Sequence, residues 1–258
     1  MLKIQDSGSG PPLLLLHGLT ATRRYVLQGS RLLAREGFRL ISYDARAHGE
    51  SDPADGYEYS DLAADVFSVL DSREVDAAVL VGHSMGAATA VRVALERPEL
   101  VRGLVQITPA YAGKPYLDDA SLAYWDRLAA GLEGDGADGF MRVFEAPSDE
   151  RFRDAVLKFT RQRMERHRHP EALAQAVRVV PRSEAFDGIE RLAEIEVPVL
   201  VVGSRDESDP THPLAVAEEY ASRLPRGELV VEDEGDPPLA WQGAQLSHAI
   251  LDWLRSQS

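Results

Sequence analysis

Short hydrophobic runs alternate along the chain with segments in which hydrophobic residues recur every three or four positions. The runs are continuous and rich in Val, Leu and Ile, which is typical of strands covered on both faces of a sheet. They occupy residues 13–16, 40–43, 77–81, 104–107, 197–202 and 229–231. Helical periodicity covers residues 59–70, 87–96 and 214–224. This alternation predicts an α/β fold built around a mostly parallel sheet with helices on both faces.

The alternation stops between about residues 113 and 185, where helical stretches are separated by turn residues and no strand pattern stands out. The sequence GLEGDGADG, residues 131–139, predicts a flexible joint inside this region because glycine and aspartate favour turns. We therefore expect a helical cap at 113–185, inserted into an α/β core that comprises residues 1–112 and 186–258.

Composition narrows the possible functions. The chain has 258 residues, of which 44% are hydrophobic and 27% charged, as expected of one globular core with a small inserted subdomain. A net charge of −14 argues against a nucleic-acid partner. The absence of cysteine excludes disulfides, thiolate metal sites and cysteine nucleophiles. The early leucine run, residues 13–16, is too short for a signal peptide or a membrane span, so we expect a cytoplasmic protein without a membrane partner.

The strongest local signal is the sequence AAVLVGHSMGAATAVRVALERP, in which a buried strand leads through Gly82-His83-Ser84-Met85-Gly86 into a helix. A sharp strand-to-helix turn of this kind strains the serine backbone and exposes its hydroxyl, and the flanking glycines allow strand and helix to approach closely. The helix N-terminus also favours negative charge that develops on the serine oxygen. Ser84 is therefore predicted to be a nucleophile, and the alternative is a serine that merely caps the helix.

A nucleophilic serine requires donors for the oxyanion that forms during acyl transfer. The N–H of Met85, directly after the nucleophile, is one candidate donor. The segment LLLLHGLTA, residues 13–21, ends a strand at His17-Gly18, and we predict the N–H of Leu19 as the second donor. The alternative for this segment is an ordinary glycine turn.

Together these motifs resemble the α/β-hydrolase superfamily, in its capped branch of esterases, lactonases and C–C hydrolases. The matching segments are SGSGPPLLLLHG, YDARAHGESD (43–52), VGHSMGAATA (81–90), VPVLVVGSRDESDP (197–210) and the C-terminal AILDWL. The resemblance implies an α/β-hydrolase fold, a small-molecule substrate, and no metal or cofactor. It does not specify the substrate, because this fold hosts many chemistries. Oligomeric state is not readable from the sequence.

The same resemblance implies structural roles in the turn after the second predicted strand. Asp44, Arg46 and His48 are expected to hold that turn in place. One departure from the family pattern is Ala47, where glycine is usual. The resemblance also places the catalytic acid just beyond the strand VPVLVVG, which makes Asp206 the expected orienting carboxylate and Asp209 the second candidate.

The catalytic base presents a difficulty. Where the family pattern places its histidine, after the last strand, this chain has Glu234-Gly235-Asp236. A carboxylate with a pKa near 4 is a poor base toward a serine hydroxyl, so Asp236 does not replace the histidine unaided.

Two of the seven histidines need to be weighed as substitutes. His248 falls on the polar face of the predicted C-terminal helix, away from the apolar stripe, and is expected to face solvent. His212 stands just beyond the strand that carries the acid, at the active edge of the sheet, and is the candidate base. Asp209 or Asp236 would then orient it, and the alternative is that His212 only structures a turn.

A cluster of basic residues, RQRMERHRH at 161–169, lies in the predicted cap of this acidic chain. It is either a solvated helix face, which would also leave His167 and His169 in solvent, or a positive rim that attracts anionic substrates.

The function predicted from these residues is hydrolysis of a small ester, lactone or thioester through an acyl-enzyme at Ser84, with His212 as base and Asp206 in support. One alternative is a ligand-binding or signalling protein on a degraded hydrolase scaffold, suggested by Asp236. A second alternative is a non-hydrolytic acyltransferase or lyase on the same fold.

Overall fold

The fold is described by a computed structural model that covers residues 1–115, 118–146, 150–205, 209 and 211–257. Within these ranges, seven strands form one sheet in the order β1-β3-β2-β4-β5-β6-β7, in which β1 is antiparallel to β3 and all other neighbours are parallel. The strands are β1 Lys3–Ser7, β2 Pro12–Leu16, β3 Arg39–Asp44, β4 Ala78–His83, β5 Val101–Ile107, β6 Val199–Val202 and β7 Gly227–Val230. The predicted α/β-hydrolase fold with a mostly parallel sheet is confirmed, although the edge strand β1 was not predicted.

Helices cover both faces of this sheet. They are α1 Leu32–Arg35, α2 Tyr59–Ser72, α3 Met85–Glu96, α4 Asp119–Val143, α5 Glu150–Met164, α6 Pro170–Val179, α7 Leu214–Arg223 and α8 Gly243–Ser256. In β2, Leu14 and Leu16 pack toward α2, α3 and α7, whereas Leu13 and Leu15 pack toward α1 and α8. This alternation follows from the two-residue period of a strand, and it explains why the run is hydrophobic throughout. No helix in the described part of the chain is both long enough and apolar enough to span a membrane.

Helices α4, α5 and α6 lie between β5 and β6 and form a helical insertion with a hydrophobic core of its own, which includes Leu128, Phe140 and Leu173. The joint predicted at 131–139 is a sharp bend, since Asp135 and Gly136 leave helical geometry there. The two arms of the bend approach closely, so residue 131 has to be glycine: a Cβ at Gly131 would overlap the carbonyl oxygen of Gly139.

Candidate active site

Ser84 lies between β4 and α3, at the edge of the sheet formed by the carboxyl ends of the strands. Its φ of 52° and ψ of −111° place it in a region that a residue with a side chain rarely adopts, at a cost of roughly 1–3 kcal/mol. The flanking glycines are sterically necessary: a Cβ at Gly82 would overlap the carbonyl of Gly86, and a Cβ at Gly86 would overlap that of Leu16. Close packing of strand and helix thus holds the strained turn and its hydroxyl.

The Nε2 atom of His212 lies 2.9 Å from Oγ of Ser84. On the other side of the same ring, Nδ1 lies 2.9 Å from Oδ2 of Asp209. With Asp209 ionised, Nδ1–H donates to the carboxylate, and Nε2 is left to accept the proton of the Ser84 hydroxyl. The structure therefore brings the predicted nucleophile and the candidate base together with a carboxylate, in the arrangement that nucleophilic catalysis needs.

Asp209 and His212 belong to one short turn between β6 and α7, closed by a hydrogen bond from the His212 N–H to the Asp209 carbonyl at 3.1 Å. The hydroxyl of Thr211 donates to Oδ1 of Asp209 at 2.8 Å. In the sheet only β5 separates β6 from β4, so the turn has to reach across about 10 Å to meet Ser84.

The electrostatic state of Asp209 suits an orienting role. Burial alone would raise the pKa of its carboxyl. The neighbouring His212 and the hydrogen bonds from His212 and Thr211 outweigh burial and hold the pKa at about 2. The carboxylate is therefore ionised at neutral pH and stabilises a positive charge on His212 when the ring accepts a proton.

The other residues considered for these roles lie elsewhere or are not described. Asp206, the expected acid, lies outside the described residues. Asp236 is exposed, in a turn after β7 in which its N–H donates to the carbonyl of Asp233 at 3.1 Å. His248 is also exposed, and its ring is bonded to the carbonyl of Ala244 one turn earlier in α8. The prediction that His248 faces solvent is thus confirmed.

The candidate oxyanion donors lie on both sides of Ser84. A Cβ at Gly18 would stand 3.3 Å from Cβ of Ser84, so the loop after β2 that carries Leu19 touches the serine. Met85 is the first residue of α3. Among the residues that the structure describes, neither the Leu19 N–H nor the Met85 N–H has a hydrogen-bond partner, which leaves both free to bind an oxyanion.

Two hydrogen bonds of the His17 ring fix the loop that carries Leu19. The Nδ1–H of His17 donates to the carbonyl of Gly18 at 2.8 Å, and its Nε2 accepts from the N–H of Ala45 at 2.8 Å. Burial lowers the pKa of His17, which keeps the ring neutral and Nε2 able to accept.

The Asp44 turn has the structural role that was expected. Asp44 is fully buried, forms an ion pair with Arg23, and accepts hydrogen bonds from the N–H groups of Arg23 and Glu50 at 2.7 and 2.9 Å. Ala47 has a φ of 63°, which explains why glycine is usual at this position of the family pattern.

The structure contradicts the expectation that His167 is solvated. Its Nδ1 accepts from the N–H of Gly49 at 2.8 Å, and its Nε2 lies 3.0 Å from the carbonyl oxygen of Thr20. Burial lowers the pKa of His167 to about 4, although the hydrogen bond to Thr20 acts in the opposite direction. His167 thus joins the helical insertion to two loops of the core, and one of them is the loop that carries Leu19. The spacing of residues could not reveal this, because it depends on how the insertion docks.

Glu232 is a further residue that the sequence did not single out. Its buried carboxylate accepts from the N–H of Arg205 at 2.6 Å and from that of Leu239 at 3.1 Å. It therefore ties the segment that leads toward Asp209 and His212 to the loop after β7. The only sequence signal was its position just beyond a strand, among other acidic residues.

His83 borders the same site. Its ring centroid lies 5.8 Å from that of His212. Burial, followed by the nearby His212, lowers the pKa of His83 to about 3, so the ring is neutral at physiological pH.

Comparison with known proteins agrees with the observed fold. A family model for the alpha/beta hydrolase fold matches residues 11–244. The AB hydrolase superfamily protein YisY of Bacillus subtilis strain 168 is 27% identical over 246 residues, which cover 89% of this chain and 85% of that protein. A solved structure of a thermophilic esterase from Thermogutta terrifontis superposes with a TM-score of 0.79 at 26% identity, covering 99% of this chain and 93% of the esterase.

A stronger but shorter similarity links the chain to the sn-1-specific diacylglycerol lipase ABHD11 of Xenopus tropicalis. The two are 41% identical over 102 residues, which cover 39% of this chain and 32% of the lipase. The match thus spans about a third of that relative's length. Relatives named as a lipase and as an esterase support a hydrolase.

Proposed function

Because this chain belongs to the α/β-hydrolase fold family, we propose that it is a serine hydrolase that cleaves a small ester, lactone or thioester through an acyl-enzyme at Ser84. The observation that carries the proposal is the 2.9 Å contact between Nε2 of His212 and Oγ of Ser84, with Asp209 on the opposite ring nitrogen. His212 thereby takes the role for which Asp236 is chemically unsuited.

In the proposed first step, Oγ of Ser84 forms a bond to the substrate carbonyl carbon while His212 accepts the hydroxyl proton at Nε2. The carbonyl π electrons move to oxygen, and the resulting oxyanion accepts hydrogen bonds from the N–H groups of Leu19 and Met85. The tetrahedral intermediate then collapses, the bond to the leaving group breaks, and His212 returns the proton to that group. Each oxyanion donor is expected to contribute about 10²–10³ in rate.

The second step releases the acyl group. Water attacks the acyl-enzyme, His212 accepts a proton from that water, and the same two N–H groups bind the second oxyanion. When this intermediate collapses, the bond between the acyl carbon and Oγ of Ser84 breaks, His212 returns the proton to Oγ, and the carboxylic acid is released. Throughout, Asp209 holds the ring of His212 in the tautomer that keeps Nε2 available and stabilises the imidazolium that forms.

We also propose that the helical insertion acts as a cap over this site, with residues 113–185 as the cap and residues 1–112 and 186–258 as the core. Two observations support this role. Leu19, which carries a proposed oxyanion donor, packs against the hydrophobic core of the insertion, and His167 binds the same loop through Thr20. The cap would thereby limit access of water and substrate to Ser84.

The alternative of a ligand-binding protein on a degraded hydrolase scaffold is less well supported. The evidence for this alternative was that Asp236 stands where the family pattern has its histidine. The contact of His212 with Ser84 weakens this evidence, because His212 is a candidate for the missing base. No comparable observation favours an acyltransferase or a lyase over hydrolysis.

The test is a time course of p-nitrophenyl butyrate cleavage by the wild-type protein, by Ser84→Ala and by His212→Gln. Steady turnover that both substitutions abolish is the expected result. A burst of one product per enzyme followed by no turnover would contradict hydrolysis, because water would not be activated. If the ester is not cleaved, labelling with a fluorophosphonate decides: no reaction at Ser84 in the wild type would overturn the proposal.

A further inference from the structure

Arg163, in the last turn of α5, differs from the other basic residues of the helical insertion. Its Nε is buried without a hydrogen-bond partner, and among the described residues no carboxylate forms an ion pair with its guanidinium. The residue as a whole is half-buried. Leaving a buried N–H of a cationic group without a partner is costly, so such an N–H is normally satisfied by an acceptor. The residue is therefore a candidate to bind a group that arrives with the substrate.

The neighbouring arginines show that this arrangement is specific to Arg163. On the same helix, Arg161 is exposed and paired with Asp138. Arg168, five residues further along the chain, pairs with Glu50 at 3.1 Å. Most of the basic cluster at 161–169 is thus a solvated or already neutralised face, whereas Arg163 alone among these arginines turns inward without a partner.

The position of Arg163 is set by contacts just beyond it. The N–H of Arg166 donates to the Arg163 carbonyl at 3.2 Å in the turn that follows α5. Nε of Arg166 lies 3.1 Å from the hydroxyl of Tyr25, in the segment that follows Leu19. His167 binds the carbonyl of Thr20 in the same segment. These contacts hold the end of α5 against the loop that borders Ser84.

Electrostatic coupling agrees with this placement. Burial lowers the pKa of Arg163, while Tyr25 and Asp209 act in the opposite direction. Burial is also the main cause of the lowered pKa of His83, and the charge of Arg163 lowers that pKa further. The guanidinium thus lies within electrostatic range of Asp209 and His83. Asp209 is hydrogen-bonded to the proposed base, His212, and the ring of His83 packs beside His212. Asp209 forms no ion pair with Arg163, and its two oxygens are hydrogen-bonded to His212 and Thr211.

We propose that Arg163 is a specificity-determining residue that binds a carboxylate of the substrate, so that the preferred substrate is an ester-like compound carrying a second, free carboxylate. This inference rests on the proposed hydrolase function of the Ser84 site. A guanidinium suits the role because its planar N–H groups match the two oxygens of a carboxylate. The protein has a net charge of −14, so an anionic substrate requires a local cation of this kind to overcome general repulsion.

The test compares two substrates of the same shape, methyl butyrate and monomethyl succinate, in which a terminal methyl is replaced by a carboxylate. Release of methanol gives kcat/KM for the wild type, Arg163→Gln, Arg163→Lys and the control Arg161→Gln. The wild type is expected to prefer monomethyl succinate at least tenfold. Arg163→Gln should lower kcat/KM for that ester by about 10- to 100-fold and change methyl butyrate less than threefold, since a hydrogen bond to a charged group is worth about 1.5–3 kcal/mol.

Arg163→Lys should retain part of the preference, and Arg161→Gln should behave as the wild type with both esters. Equal losses for both esters in Arg163→Gln, or a wild type without preference, would overturn the inference while leaving the hydrolase proposal intact. If neither ester is cleaved, the hydrolase proposal is in doubt, and calorimetric titration of Ser84→Ala with succinate decides the inference separately. Succinate binding that is lost on the substitution Arg163→Gln supports the inference. Succinate binding that is absent, or that this substitution leaves unchanged, overturns the inference.

Discussion

The imidazole of His212 meets the hydroxyl of Ser84 at 2.9 Å, although the two residues are separated by 128 positions along the chain. They lie after different strands, β4 and β6, which have only β5 between them in the sheet. Since Asp209 belongs to the same turn as His212, one short segment supplies both partners of the serine. The position after β7, at which the family pattern places its base, is left to an exposed aspartate.

The first prediction concerns His212 itself. His212→Gln should lower kcat of ester cleavage by about 10³-fold or more, because the Ser84 hydroxyl loses its proton acceptor. The matched control is His248→Gln, which removes an exposed histidine and should leave kcat unchanged. Steady-state kinetics checks both variants, with circular dichroism to verify folding. Retention of more than a tenth of the activity in His212→Gln would exclude His212 as the base.

A second prediction concerns Asp236. Asp236→Ala should change kcat/KM less than twofold, because the carboxylate is exposed in a turn and the proposed base is supplied from another loop. The measurement is ester cleavage under the conditions used for the wild type. A loss of 100-fold would show that Asp236 takes part in the reaction, and the assignment of His212 and Asp209 would then be incomplete.

A third prediction separates the two candidate acids. Asp209→Asn should lower kcat by about 10²–10⁴-fold, because an amide no longer stabilises the charged ring and can favour the wrong tautomer. Asp206→Asn is the matched comparison, and it should cost much less because Nδ1 of His212 is already bonded to Asp209. The ratio of the two kcat values is the measurement. If Asp206→Asn proves the more damaging substitution, the original assignment from the family pattern is restored.

A fourth prediction links His167 to stability at acid pH. The folded-state pKa of His167 is lowered to about 4, below the value of about 6.5 for an unfolded chain, so the unfolded state binds the proton more tightly. The contribution of the neutral ring to stability is therefore complete above about pH 6.5 and is lost as the pH falls toward 4. Urea unfolding of the wild type and His167→Gln at pH 7.5, 6 and 5 measures this effect.

The difference in unfolding free energy between wild type and His167→Gln should shrink by roughly 2 kcal/mol between pH 7.5 and pH 5. His248→Gln serves as the control, because it removes a histidine that is exposed on α8. Parallel stability curves for wild type and His167→Gln would show that His167 is not held neutral in the folded protein.

Most of the fold could be read from local patterns, and the exceptions have physical reasons. The five inner strands, β2 to β6, follow hydrophobic runs because both of their faces are buried, whereas β7 at the other edge of the sheet is partly exposed. Strand β1, with the sequence KIQDS, is largely exposed at the edge of the sheet and owes its conformation to pairing with β3. An edge strand needs no hydrophobic run, so the sequence carried little signal for it.

The candidate site also contains some features that local sequence patterns predict and others that they do not. The strand-to-helix turn at Ser84 and the loop at Leu19 could be predicted from the sequence, because both depend on neighbours in the chain and on glycines that permit close approach. It also made His212 the candidate base, without showing that the ring reaches Ser84. Four features became visible only in the folded molecule: the reach of His212, its pairing with Asp209, the docking of His167 against the core loops and the unpaired Nε of Arg163. These features depend on which loops meet at the edge of the sheet and on how the helical insertion docks there, and contacts between residues far apart in the chain leave no local pattern.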